Sequence, residues 1–376
     1  MRLTRRAFLS VAATVVAASA VVPPVSHADD PFTVLVATNE PYGTYHIRGM
    51  VDHVESQGGR IALVAPDLDH PTADPVEVIT LDQAKAWDAD LLVVNGATEW
   101  PATVVQSLPE RDVVASSLAY LKPEEAPGAA AIRERLVGAT AQSSDEAKVF
   151  AAHFGMPASE ISVVGNVNLD NVPAYQPAGG TVLVATSVTK SSTTGGSAPG
   201  TQLLLDTAAA LEAEGYHIRV GLHPREDRTL WEQYEIAEEG TIAASATAEV
   251  VVGIPGSVFP PVAAVGAPLV GITDPALTVP DYLLKLSATA STVDEVVAAV
   301  KTAWKPEPLE LEAVVGPVGG SAERLWDYWM TAAAKDDQPK PSPSATASAP
   351  AQSASPSAPV KPGLPHTGVA GVGLAV

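Results

Sequence analysis

The chain has 376 residues, 46% of them apolar, 43 acids against 22 basic residues, and a net charge of −21. So acidic a protein repels nucleic acid and anionic lipid surfaces, and no nucleic-acid partner is expected. With no cysteine, thiol catalysis, thiolate metal sites and disulfides are excluded, so a folded body depends on its apolar core alone.

The chain opens as a secretory signal. Arg2, Arg5 and Arg6 form a positive segment, Ala7 to Val22 is an uncharged run, and Ser26-His27-Ala28 places small residues where a signal peptidase cuts. The run falls short of the roughly 20 apolar residues that span a bilayer, and Pro23-Pro24 interrupts it. Cleavage after Ala28 is expected; it removes three arginines and no acid, taking the charge from −21 to −24. The stretch around Arg5, Arg6, Phe8 and Leu9 resembles the twin-arginine signal. That resemblance implies export of an already folded protein, with the twin-arginine translocase as partner.

From Asp29 to Ala334 short apolar runs alternate with helical patterns. Strands are expected at 32–37 and 60–65, with a helix over 45–57 between them closed by Gly58-Gly59. Further strands are expected at 91–94, 112–115 and 161–164. After a Pro/Ala/Gly-rich hinge at 171–180 the series restarts. It gives a strand at 181–186, a helix over 202–214 and a strand at 217–222, then strands at 249–253 and 269–272 with a helical stretch at 261–265. Strand–helix–strand with short connections is the unit of a parallel sheet. The expected fold is α/β with two tandem Rossmann-like domains, 29–172 and 173–334.

Residues 335–363 are rich in Pro, Ser, Ala, Lys and Gln, a composition that cannot offset its ordering entropy, so a disordered spacer is expected. Extended, it would reach roughly 80 Å. Leu364-Pro365-His366-Thr367-Gly368 follows and resembles the sortase substrate pentapeptide. The resemblance implies attack on the Thr367 carbonyl by a sortase cysteine and covalent transfer to peptidoglycan, on a Gram-positive surface. Only Val369–Val376 follows, too short for a membrane span; a truncated tail is expected, with a defective anchor as the alternative.

Gly165-Asn166 with Asp170, the His223-Pro224 pair, and Gly256-Ser257 followed by Ala263 to Pro268 carry another resemblance. They look like motifs of GT-B glycosyltransferases, UDP-N-acetylglucosamine epimerases and CDP-glycerol glycerophosphotransferases. In that superfamily an acid after the phosphate loop holds the donor ribose; Pro260 and Pro261 stand there instead, and no basic residue accompanies Gly256. Donor nucleotides are also cytoplasmic, whereas this chain is exported, and a fold alone does not transmit activity.

The ligand-binding candidates are Gly43, Thr44, His223, Arg225, Gly256 and Ser257, each where a strand gives way to a loop, so all six are expected to face one crevice. Ser257 reads either as a ligand contact or as the cap of the helix that follows. His46 and His53, seven residues apart, lack accompanying carboxylate spacing, and Asp67 and Asp69 read as a turn after a strand; no metal and no cofactor are expected. The loop from Thr186 to Gly196 is either functional or plain disorder. Three functions stay open: a wall-anchored protein binding a glycan, wall polymer or small ligand without turnover; an exported glycosyl- or glycerophospho-transferase; and a solute-binding receptor.

Overall fold

Valine-, leucine- and alanine-rich runs such as Thr33–Ala37 and Leu91–Val94 are buried along their whole length, the pattern of strands covered on both faces. The computed structural model describes residues 31–118, 124–188 and 198–334. The export signal with Ala28, the spacer, the sorting pentapeptide and most of the 186–196 loop lie outside the described residues.

Among the described residues, thirteen parallel strands form two sheets. The first holds β1 (Thr33–Ala37), β2 (Arg60–Ala65), β3 (Glu77–Thr80), β4 (Leu91–Val94), β5 (Val113–Ser116), β6 (Leu136–Ala141) and β7 (Ser162–Val163) in the order 3-2-1-4-5-6-7. The second holds β8 (Thr181–Ala185), β9 (His217–Gly221), β10 (Glu235–Ile236), β11 (Val250–Gly253), β12 (Leu269–Ile272) and β13 (Ala288–Ala290) in the order 10-9-8-11-12-13. Each order reverses beside its first strand, which opens a crevice at the carboxyl ends of the strands. The fold is the expected α/β pair of Rossmann-like sheets, with an apolar core on both faces of each.

The two sheets belong to one compact unit, and the last described helix is a main reason. Ser321–Ala334 falls in the stretch expected for the second domain, but it returns to the first sheet. Leu325, Trp326, Trp329 and Ala332 bury there against Val34, Val36, Leu63 and Val93. The Trp329 indole donates to Ser116 Oγ at 2.9 Å, and the Tyr328 hydroxyl accepts from Ala139 N at 2.9 Å.

The Gly-Asn-x-x-x-Asp motif secures this return. The Asp170 carboxylate accepts from Ser321 N at 2.6 Å and from Ala322 N at 2.8 Å, so an acid covers two open donors at the positive end of the helix. Arg324 Nε donates to Val164 O at 2.8 Å. Gly165 has φ +89, and a Cβ there would lie 2.5 Å from both Pro317 O and Ser321 Oγ, so only glycine lets the two segments approach. Asn166 caps the short turn after it by accepting from Asn168 N. These motif residues therefore hold the crossover together.

Candidate functional site

The turn after β1 is built to carry polar side chains to the crevice. Gly43 N donates to Glu40 O at 2.8 Å, and a short 3-10 turn, Thr44–His46, follows. A Cβ at Gly43 would lie 2.6 Å from the His46 ring and 3.0 Å from Glu40 O, so glycine is what lets the imidazole pack beneath the turn. Thr44 is buried; its hydroxyl pairs with Asp74 Oδ2 at 2.8 Å and Thr72 Oγ1 at 3.2 Å, tying this turn to the loop after β2. The Tyr45 hydroxyl donates to the Glu40 carboxylate, and burial followed by that negative neighbour pushes the phenol upward.

Glu40 is the centre of the cluster. Arg225, from the loop after β9, brings Nη2 to 3.6 Å from Glu40 Oε2, and His46 Nε2 lies 4.0 Å from the same oxygen. The first and second sheets therefore meet here through a charged pair. The His223 amide donates to Thr186 Oγ1 at 2.8 Å, and its Nδ1 accepts from Arg225 N at 3.1 Å, which leaves the ring proton on Nε2. Its ring centroid is 6.1 Å from that of Tyr45.

Both histidines are neutral. Burial lowers His46 to about 4, aided by His223 and Arg225 and opposed by Glu40 and a hydrogen bond to the Leu118 backbone. His46 Nε2 has no hydrogen-bond partner, so the Leu118 bond belongs to Nδ1 and Nε2 carries a free lone pair. Burial also lowers His223 to about 4, with Arg225 adding and Glu40 opposing.

These shifts carry a pH signature. A histidine whose folded value lies below its unfolded one, about 6.5, stabilises the fold fully above pH 6.5. That contribution is lost as pH falls toward 4. His46→Gln is expected to flatten the decline of the urea midpoint across this window relative to the parent, by up to roughly 3 kcal/mol. An unchanged slope would mean that burial does not lower the His46 pKa in the folded state.

A cavity of about 430 Å³ opens beside the cluster. All of its lining comes from first-sheet loops, 40–48 and 70–74, except Pro224 and Arg225. Gly43, Thr44 and Arg225 of the six candidates line it, and His223 does not, though it is bonded to the Arg225 backbone. Gly256 and Ser257 do not line it. Ser257 is exposed and does not cap the helix that follows, Phe259–Val265. That helix starts after Val258 with no side-chain cap, because Pro260 and Pro261 sit in its first turn, where no donor needs capping. Both prolines are buried, so the position where the resembled enzymes carry an acid is packed inward.

Among the cavity residues outside the sequence-based set are the polar side chains of Glu40, Tyr45, Arg48 and Asp74. Asp67 ends the strand region in a turn as expected, accepting from Asp69 N at 3.0 Å. His46 lies in the 3-10 turn and His53 in the next helix, so the two do not share a helical face.

No protein-family model matches the chain, and no curated protein does. Solved structures do. The wall teichoic acid polymerase TagF is 12% identical, with a TM-score of 0.52 over 82% of this chain and 90% of that one. MurG from Acinetobacter baumannii is 12% identical, with a TM-score of 0.52 over 80% of this chain and all of the other. The UDP-GlcNAc 2-epimerase of Methanocaldococcus jannaschii is 13% identical, with a TM-score of 0.53 over 80% and 100%. At such identities the likeness speaks for the fold, and the body of this chain is GT-B-like.

Proposed function

We propose that the chain is an exported protein, held on a Gram-positive cell wall through Thr367, whose GT-B-like body binds a glycan, wall polymer or small ligand without turnover. The export and anchoring parts rest on Arg5-Arg6 and on the pentapeptide Leu364–Gly368. The binding part rests on one observation: the cavity is walled by first-sheet loops with Pro224 and Arg225, and nothing from the 253–258 loop, which would seat donor phosphates, lines it. The buried Pro260-Pro261 pair supports the same reading, since no acid is there to hold a donor ribose.

Two neutral histidines packed beside the cavity favour a second reading, an exported glycosyl- or glycerophospho-transferase. Native mass spectrometry of the wall-released protein from its own host separates the two. The expected result is an intact noncovalent ligand that Arg225→Ala loses; recovery of a nucleotide diphosphate or monophosphate instead would favour the transferase. In the full-length gene product, Thr367→Ala is expected to move the protein from the wall to membrane or medium. Attachment that survives both this change and sortase deletion would remove the anchoring reading.

A further inference from the structure

Resting on the binding reading of the cavity, we infer that its ligand is a neutral, hydroxyl-rich unit, a sugar or polyol presenting adjacent hydroxyls, and that polyanionic polymers are rejected. The reason is how the site's charges are already spent. Arg48 lies 3.3 Å from Asp74 Oδ1, and Arg225 lies 3.6 Å from Glu40 Oε2. Each guanidinium that faces the cavity thus comes with its own carboxylate, and a phosphate or carboxylate entering between them would meet two negative groups along with two positive ones. The chain's net charge of −21 adds long-range repulsion of any polyanion.

The same arrangement suits hydroxyls. The Glu40 and Asp74 carboxylates are oriented by neutral donors, Tyr45 and Thr44. A carboxylate offers about four lone-pair positions, so each keeps acceptor capacity for a ligand O–H, while the five N–H donors of Arg48, one of them on Asp74, leave donors for the adjacent oxygen. A vicinal diol matches such a donor–acceptor pair; a bare anion matches only half of it. At the mouth the Tyr42 and His70 rings pack with centroids 4.1 Å apart, a ledge for the C–H face of a sugar ring.

Calorimetric titration of the exported chain at low ionic strength tests this with two neutral probes, chitotetraose and maltotetraose, and one polyanionic probe, a glycerol-phosphate tetramer. Binding of at least one neutral probe at millimolar or lower concentration is expected, weakened about tenfold or more by Asp74→Asn, with no binding of the tetramer. Because a misfolded variant would also lose affinity, the Glu40→Gln/Asp74→Asn double variant supplies the opposite readout. Freed of their carboxylates, Arg48 and Arg225 should now take up the glycerol-phosphate tetramer, a gain that misfolding cannot mimic. Parent protein that binds the tetramer would overturn the neutral-ligand inference while leaving the binding reading intact. So would a parent that binds no probe together with a double variant that gains nothing. Release of nucleotide from a sugar or glycerol donor would end the binding reading itself.

Discussion

Trp329→Ala is expected to lower stability by about 3–5 kcal/mol, the range for removing a buried tryptophan. Trp329 is 0% exposed and packs among strands of the first sheet, although it lies at the far end of the described chain. Its indole also donates to Ser116 Oγ, which in turn accepts from Thr140 Oγ1 at 2.9 Å, so truncation empties a large volume and opens a buried polar chain. Hydrogen exchange should show the 321–334 amides losing protection first, because this helix is held by its packing and by Asp170. Urea unfolding checks the magnitude. A loss below about 1 kcal/mol would mean that the helix does not depend on this side chain for its place on the first sheet.

Glu146→Gln is expected to stabilise the protein increasingly as pH rises from 4.5 to above 7. Burial raises this carboxyl to about 7, opposed by hydrogen bonds from the Gln142 backbone and Ser117. Its folded value lies above its unfolded one, so its contribution is complete below pH 4.5 and is lost as pH climbs through 7. At pH 8 the parent must hold a buried charge or open the site, and the amide avoids that while keeping an oxygen to accept from Gln142 N, now bonded at 2.8 Å. The gain between pH 4 and pH 8 should approach about 3 kcal/mol, from 1.36 kcal/mol per pKa unit. Stability curves of the two proteins that run parallel across this range would show that Glu146 titrates as an ordinary surface acid.

The central strands were legible because burial on both faces demands unbroken apolar runs: Leu91–Val94 and Leu269–Ile272 are found where the pattern places them. Strands that lack such runs were not. β3 reads Glu-Val-Ile-Thr with one face open, β6 mixes small and hydroxyl residues, and β13 has three residues at a sheet edge. The return of the 321–334 helix was hidden for a different reason. Its partners, such as Val34 and Leu63, lie far earlier in the chain, and an apolar stripe alone does not say which sheet it will cover.

At the site, Thr44 and Arg225 were legible as loop residues at strand ends. Glu40 and Asp74 were not, since one acid among 43 carries no mark until the fold sets an arginine beside it. Gly256 and Ser257 were drawn in by resemblance, yet in this chain their loop leads into a helix whose first turn is two buried prolines.

Thermal unfolding of the chain from Asp29 onward with millimolar UDP-N-acetylglucosamine or CDP-glycerol tests most directly whether the body binds without using a nucleotide donor. Pro260 and Pro261 offer no side-chain acceptor to a donor ribose, and the lack of a charged hydrogen bond typically costs about 1.5–3 kcal/mol, roughly tenfold to more than a hundredfold in affinity. The expected result is no shift of the midpoint with either donor. A clear upward shift that His223→Ala abolishes would contradict the binding reading and favour the transferase.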